Sequence, residues 1–145
     1  MKKNFKYTFY KAEYIQYNTI LEDKEIYSMI SVFLLKYVSL EAFYKKLLIA
    51  EKESSGKKLT DRERRNLSVV SSEVDRVFKY FDITCDEKLI DRVFGSNDSN
   101  YMECSIKKLR DRLVHNVNDN VIRVIIERYD DINNDLDELK QILSK

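Results

Sequence analysis

His115 is the only histidine in this chain of 145 residues, and it closes the run Leu109-Arg110-Asp111-Arg112-Leu113-Val114-His115. An imidazole titrates near neutral pH and can both take and give a proton. A guanidinium presents a charged fork that grips a phosphate and stabilises charge developing on it. RNA carries its own nucleophile, the 2′-hydroxyl, so a base and a phosphate clamp suffice to cleave it without a metal. Acid–base catalysis of this kind is worth ~10²–10⁴-fold in rate. At about 100° per residue, Asp111 and Arg112 lie on the His115 side of a helix and Arg110 points well away. Asp111 is then placed to hydrogen-bond an imidazole nitrogen and fix its tautomer. Arg110 meets the same phosphate only by the length of its side chain, at a frayed helix end, or across a two-fold axis. The role of Arg112 stays open at this level. The same residues also read as an ordinary charged helix face with i, i+4 pairs.

Other chemistries find little support. One histidine excludes an intrachain His₂ or His₃ catalytic metal site. Asp131-Ile132-Asn133-Asn134-Asp135 begins like a calcium loop, but Leu136 stands where glycine is required and Ile142 where the closing glutamate is required. No glycine-rich phosphate loop and no GxSxG elbow occurs. Cys85 and Cys104 are the only cysteines, which argues against a disulfide framework or a structural zinc site. No metal and no cofactor is expected.

The elements that must position His115 read as helices. The chain has no proline and two glycines, Gly56 and Gly95, too few for the many turns of an all-β or α/β domain. Residues 4–20 are ambiguous between strand and helix; Tyr10, Tyr14 and Tyr17 step at helical spacing, which favours a helix. Ile26, Met29, Ile30, Phe33, Leu34, Tyr37, Val38, Phe43, Leu47 and Leu48 predict a long buried helix over residues 22–52. Thr60 and Glu63 form a capping box opening a helix through Leu67, Val70, Val74, Val77, Phe78 and Phe81. Thr84 and Glu87 read as a second box, opening a short helix that Gly95 stops. A helix over residues 102–116 presents Ile106, Leu109 and Leu113 to the core. Asn118-Asp119-Asn120 caps a last helix running through Val121 to Leu143. The expected fold is all-α, a single helical bundle of five to six helices in one domain, residues 1–145.

Composition sets outer bounds. Hydrophobic residues make up 43% and charged residues 35%, too apolar for a disordered chain. The net charge of +1 provides no global field, so any nucleic-acid contact must come from a local patch. Lys107, Lys108, Arg112 and Arg123 are the candidate backbone contacts, since phosphate contacts give affinity without reading sequence; solvated helix faces account for each of them equally well. Tyr101 is placed to stack on an unpaired base, or simply to pack with a wet tip. No signal-type apolar region follows the N-terminal lysines, and no apolar run is expected to span a bilayer, which points to a cytoplasmic protein without a membrane partner.

Residues from Ile106 to about Leu143 resemble the C-terminal half of HEPN-superfamily domains. The family hallmark is an arginine, often followed by Asn or Asp, then a histidine after four to six residues; here Arg110-Asp111 precedes His115 by four intervening positions. A polar break, the Val121-Ile122-Arg123-Val124-Ile125-Ile126 run and an acidic, leucine-bearing end continue the likeness. It covers about a quarter of the chain. The resemblance implies a homodimer whose paired motifs make a composite Arg–His site, and a metal-independent endoribonuclease leaving a 2′,3′-cyclic phosphate and a 5′-hydroxyl. His115 would be the acid/base, Arg110 the phosphate-binding residue and Asp111 the supporting polar position. It also implies a setting in phage defence, abortive infection or a toxin–antitoxin pair, with an antitoxin or regulatory protein as a further partner. Members silenced by nucleotide transfer carry a tyrosine two positions after the histidine; that position is Val117 here. The alternatives are a non-catalytic module binding a nucleotide or a protein, and a purely structural bundle.

Overall fold

Seven α-helices make up the fold described by a computed structural model, which covers residues 23–97 and 100–145. They are α1 (Lys24–Glu53), α2 (Asp61–Arg65), α3 (Ser71–Tyr80), α4 (Glu87–Phe94), α5 (Ile106–His115), α6 (Asp119–Glu127) and α7 (Tyr129–Leu143). Among the described residues there is no strand, and the fold is an all-α bundle as expected. The expected helix over residues 4–20 lies outside the described residues.

The bundle is organised around α1. Asp23 caps it through backbone N–H groups of Glu25 and Ile26. Ile30, Phe33, Tyr37, Leu40, Tyr44 and Leu48 recur every three or four residues and are buried, one continuous stripe of the kind a core helix needs. That stripe packs on α3, α5, α6 and α7. Aromatic rings fill its centre: Phe94 of α4 lies 6.0 Å from Tyr37 and 5.8 Å from Tyr44, and Phe78 of α3 lies 6.2 Å from Tyr44. An 18-residue stretch of α1 is apolar enough, and the helix long enough, to cross a bilayer by length and composition. The expectation that no apolar run approaches that threshold is thereby corrected; one stripe of the helix is buried in the core, while Leu35, Val38 and Phe43 on the same helix are exposed.

Two helices are split where one was expected. The helix opened by the Thr60–Glu63 box, whose two reciprocal hydrogen bonds are both present, ends at Arg65. Residues 66–70 are not helical, and Val70 (φ −123°, ψ 125°) becomes the N-cap of α3. Burying Val69 while its carbonyl accepts from Lys107 Nζ at 2.6 Å uses this extended stretch to tie α3 to α5. The last helix breaks between Glu127 and Tyr129, at Arg128, whose side chain is committed elsewhere. The short helix α4 starts two positions later than the expected box, with Asp86 rather than Thr84 as the N-cap, accepting from Lys88 N. Gly95 stops α4, but not through a left-handed turn. Its φ is −66°, and a Cβ there would sit 2.3 Å from the Asp91 carbonyl oxygen.

Candidate functional site on helix α5

Three separate contacts fix the start of α5. Ser105 caps it, accepting from Lys108 N at 3.2 Å and donating its hydroxyl to Gly95 O at 2.7 Å. Arg128 Nη1 donates to Tyr101 O at 2.8 Å and Cys104 O at 3.0 Å, pinning the preceding turn to the α6–α7 junction. Lys107 reaches α3 as described above. Ile106, Leu109 and Leu113 then face the core, as the spacing predicts. With this face set, helical geometry dictates where every other side chain of α5 points.

Arg110 is directed back into the bundle. Its Nη2 donates to Glu41 Oε2 of α1 at 2.8 Å and lies 3.3 Å from Asp111 Oδ1. The guanidinium carbon sits 5.2 Å from the centroid of the Tyr37 ring, within cation–π range. Only 21% of the Arg110 side chain and 16% of the Glu41 side chain are exposed. Lys45 adds a second cation 3.3 Å from Glu41. Burial opposes the charge on Glu41, but the Tyr37 hydroxyl, Arg110 and Lys45 outweigh it and hold the carboxyl below its usual range. Burial likewise opposes the charge on Arg110, and Tyr37 and Glu41 overcome it, so its pKa is raised. The Tyr37 hydroxyl is buried beside the pair without reaching hydrogen-bond geometry, and Arg110 Nε is likewise buried without a partner. Burial first, and the adjacent Glu41 carboxylate second, push the Tyr37 phenol upward.

His115 is exposed at the last position of α5, before the Asn116 C-cap. Within this chain Arg110 and His115 are therefore not brought together, as five helical steps require. Asp111 engages Arg110. Arg112, half-buried, is stacked over Tyr101 with its guanidinium carbon 5.0 Å from the ring centroid. Lys108, Arg112 and His115, at i, i+4 and i+7, form one stripe about 10 Å long. Of the other expected contacts, Lys107 is occupied by the Val69 carbonyl. Arg123 sits on α6, bonded to Asn120 Oδ1 at 2.6 Å, beside a separate groove of about 390 Å³ lined by Ile26 and Ile126.

Glu41 and Tyr37 were not singled out from the sequence. The available signal was an acid placed four residues after a core tyrosine, immediately beside the buried stripe Phe33-Tyr37-Leu40-Tyr44. Cys85 and Cys104 are free thiols; burial, with help from the Glu138 and Asp86 carboxylates, pushes the Cys85 thiol up to about 11. Among the described residues, no three His, Cys, Asp or Glu side chains cluster as metal ligands. No family model, curated protein or solved structure matches the chain.

Proposed function

We propose that this protein is a metal-independent endoribonuclease of HEPN type that acts as a homodimer. The observation that carries the reading is the placement of His115: the sole imidazole stands exposed at the end of a helix whose other end is pinned three ways. Arginine and lysine side chains lie within one or two turns on the same side. His115 would take the proton from the 2′-hydroxyl as the oxygen attacks phosphorus. The 5′-oxygen leaves with a proton from His115 of the partner subunit, giving a cyclic phosphate and a 5′-hydroxyl. An α5 arginine neutralises the charge gathered on the non-bridging oxygens. The second copy is required because one chain offers a single imidazole for two proton transfers.

The test is incubation of the purified protein with total RNA in EDTA, beside His115→Ala. Cleavage that falls ~10²–10⁴-fold in the variant supports the reading. Equal cleavage by both proteins identifies a contaminant and removes it, and so does a strict monomer at micromolar concentration that cleaves normally. A role in phage defence or as a toxin adds a cellular readout: expression arrests growth, and His115→Ala relieves the arrest. One observation favours a second reading, a non-catalytic nucleotide- or protein-binding module: Arg110, the arginine of the HEPN-like motif, is engaged by Glu41 and Tyr37 inside the bundle.

A further inference from the structure

We infer that the outward face of α1 is where a second copy of this chain packs, antiparallel, helix against helix. The inference names the contact surface of the homodimer, and it rests on the ribonuclease reading only for the use made of that dimer. The first observation is apolar surface concentrated on one helix. Tyr27, Leu35, Val38 and Phe43 all belong to α1 and are exposed, and Leu35, at 69%, is the most exposed large apolar side chain among the described residues. Exposed apolar residues scattered singly are ordinary, but a contiguous set marks an interaction surface. At 100° per residue, Tyr27, Ser31, Leu35, Val38 and Ala42 fall within about 80° of one another, turned away from the buried stripe of Ile30, Phe33, Tyr37 and Tyr44. They recur in steps of three and four, the spacing of a helix-pair seam. Ser31 and Ala42 are small, so a second helix can approach closely beside Leu35 and Val38.

Size and charge say what covers this face. Beyond Leu35 it continues into a groove of about 370 Å³ between α1 and α7, lined by Leu35, Phe43, Leu136 and Leu143 among others. From Tyr27 to Lys46 the face is about 30 Å long, and with the α7 wall about 20 Å wide, from the rise and diameter of a helix. Two copies joined there bury ~1,200 Å², the low end of the range for specific complexes. Charge sets the direction. Lys45 and Lys46 lie toward one end of the face, and the first turn at the other end carries Asp23 and Glu25 around Lys24. Parallel packing would set the lysines against their own copies. Antiparallel packing with Leu35 opposite Val38 sets Lys45 and Lys46 within a turn of Glu25 of the partner subunit, replacing repulsion with attraction. The face also runs up to the helix that carries His115. Glu41, three residues after Val38, stands at its edge and holds Arg110 of α5. Val114 is exposed and follows Arg110 by four residues, so it leaves α5 on that same side. Association through α1 thus sets α5 of each copy beside the interface, where the proposed site requires a second imidazole.

The experiment is sedimentation velocity on the full chain across the micromolar range, with circular dichroism to establish that each variant is folded. The wild type should be a dimer. Leu35→Asp/Val38→Asp replaces two exposed side chains, leaves the core untouched and should weaken the dimer about a hundredfold. Tyr80→Ser, exposed on α3, is the control and should leave association unchanged. Orientation is read by mixing Ser31→Cys with Ala42→Cys protein under mild oxidation. The mixed disulfide should exceed either homodisulfide, and the wild type, with Cys85 half-buried and Cys104 buried, should stay unlinked. Predominant homodisulfides overturn the antiparallel packing. A wild-type dimer that Leu35→Asp/Val38→Asp leaves intact overturns the inference and leaves the ribonuclease reading standing. A dimer that the double variant abolishes, with RNA cleavage equal in both proteins, keeps the interface and removes the composite site. A wild type that is monomeric throughout overturns the inference. Flotation of that monomer on phosphatidylcholine–phosphatidylglycerol vesicles, lost in the double variant, would then make the face a lipid surface. A monomer whose Val38→Cys thiol resists alkylation in the native state would make residues 1–22 of the same chain its occupant.

Discussion

Replacing Glu41 should destabilise the protein more than replacing any surface acid, and the structure sets the size of the effect. Glu41 and Arg110 pair at 2.8 Å with 16% and 21% of their side chains exposed. Removing one member of a fully buried ion pair costs about 3–5 kcal/mol, because the other charge is left stranded; an exposed pair is worth at most about 1 kcal/mol. With a fifth of each side chain in water, Glu41→Gln should cost about 2–3 kcal/mol. For a chain of this length that lowers the midpoint of thermal unfolding by about 6–9 °C. Lys45, which also pairs with Glu41, is the control: Lys45→Ala should shift the midpoint far less, since Arg110 remains to balance the acid.

Two further properties separate a stranded charge from general damage. In Glu41→Leu/Arg110→Met both charges leave together and apolar volume replaces them, so the double variant should lie within about 1 kcal/mol of the wild type, above either single variant. The effect should also fade in acid. Glu41 has a folded-state pKa below its ordinary value of 4.5. A depressed carboxyl contributes stability that is complete above the unfolded value and is lost as pH falls through the folded one. The gap between wild type and Glu41→Gln should therefore be full at pH 6–7 and shrink steadily below about pH 4.5 in urea titrations. A Glu41→Gln midpoint within 2 °C of wild type, additive single effects in the double variant, or a gap that widens in acid would refute this account of the pair.

Other consequences follow from single contacts. The Tyr44 hydroxyl is buried without a hydrogen-bond partner, so Tyr44→Phe should be neutral or stabilising by about 1 kcal/mol in chemical denaturation, and a loss of stability would reveal a partner for it. Gly95→Ala places a methyl 2.3 Å from the Asp91 carbonyl; the backbone must shift, at a cost of about 1–3 kcal/mol, and an unchanged unfolding midpoint would contradict the close approach. Cys85, with its thiol pushed up to about 11, should react with iodoacetamide at pH 8 about a hundredfold more slowly than a free cysteine and at the ordinary rate once unfolded in urea. Complete labelling of the native protein within minutes would show the thiol to be neither shielded nor suppressed.

The parts of this architecture that were readable in sequence are those set by neighbours along the chain. The stripe from Ile30 to Leu48, the Thr60–Glu63 box and the Asn118 cap all depend on residues within a few positions of one another. The break at residues 66–70 was masked because Leu67, Val70 and Val74 keep helical spacing across it, although residues 66–70 are not helical. The break at Arg128 has a partner 24–27 residues away, in the carbonyls of Tyr101 and Cys104. The Glu41–Arg110 pair spans 69 residues. No local pattern announces such contacts. The one-sided geometry of α5 was readable, however, and it correctly separated Arg110 from His115 before any partner for Arg110 was visible.

That separation constrains how a single-histidine site can be completed. Because Arg110 and His115 belong to one helix, no rigid movement of α5 brings them onto one face. Unwinding the last turn would, but Leu113 is 7% exposed within that turn, and withdrawing it from the core costs about 1.5–3 kcal/mol before any ligand is gripped. Asn116 would also lose the hydrogen bond from its N–H to Arg112 O, which closes the helix at 2.8 Å. A second copy requires neither change. On the proposed reading it would supply another imidazole to an exposed helix end that is already formed, and would leave the Arg110–Glu41 pair intact to support the bundle. If the proposed ribonuclease reading holds, dimer formation rather than any rearrangement toward Arg110 would set the rate, and variants that weaken association should lower cleavage steeply with dilution while leaving the unfolding midpoint of the folded chain nearly unchanged.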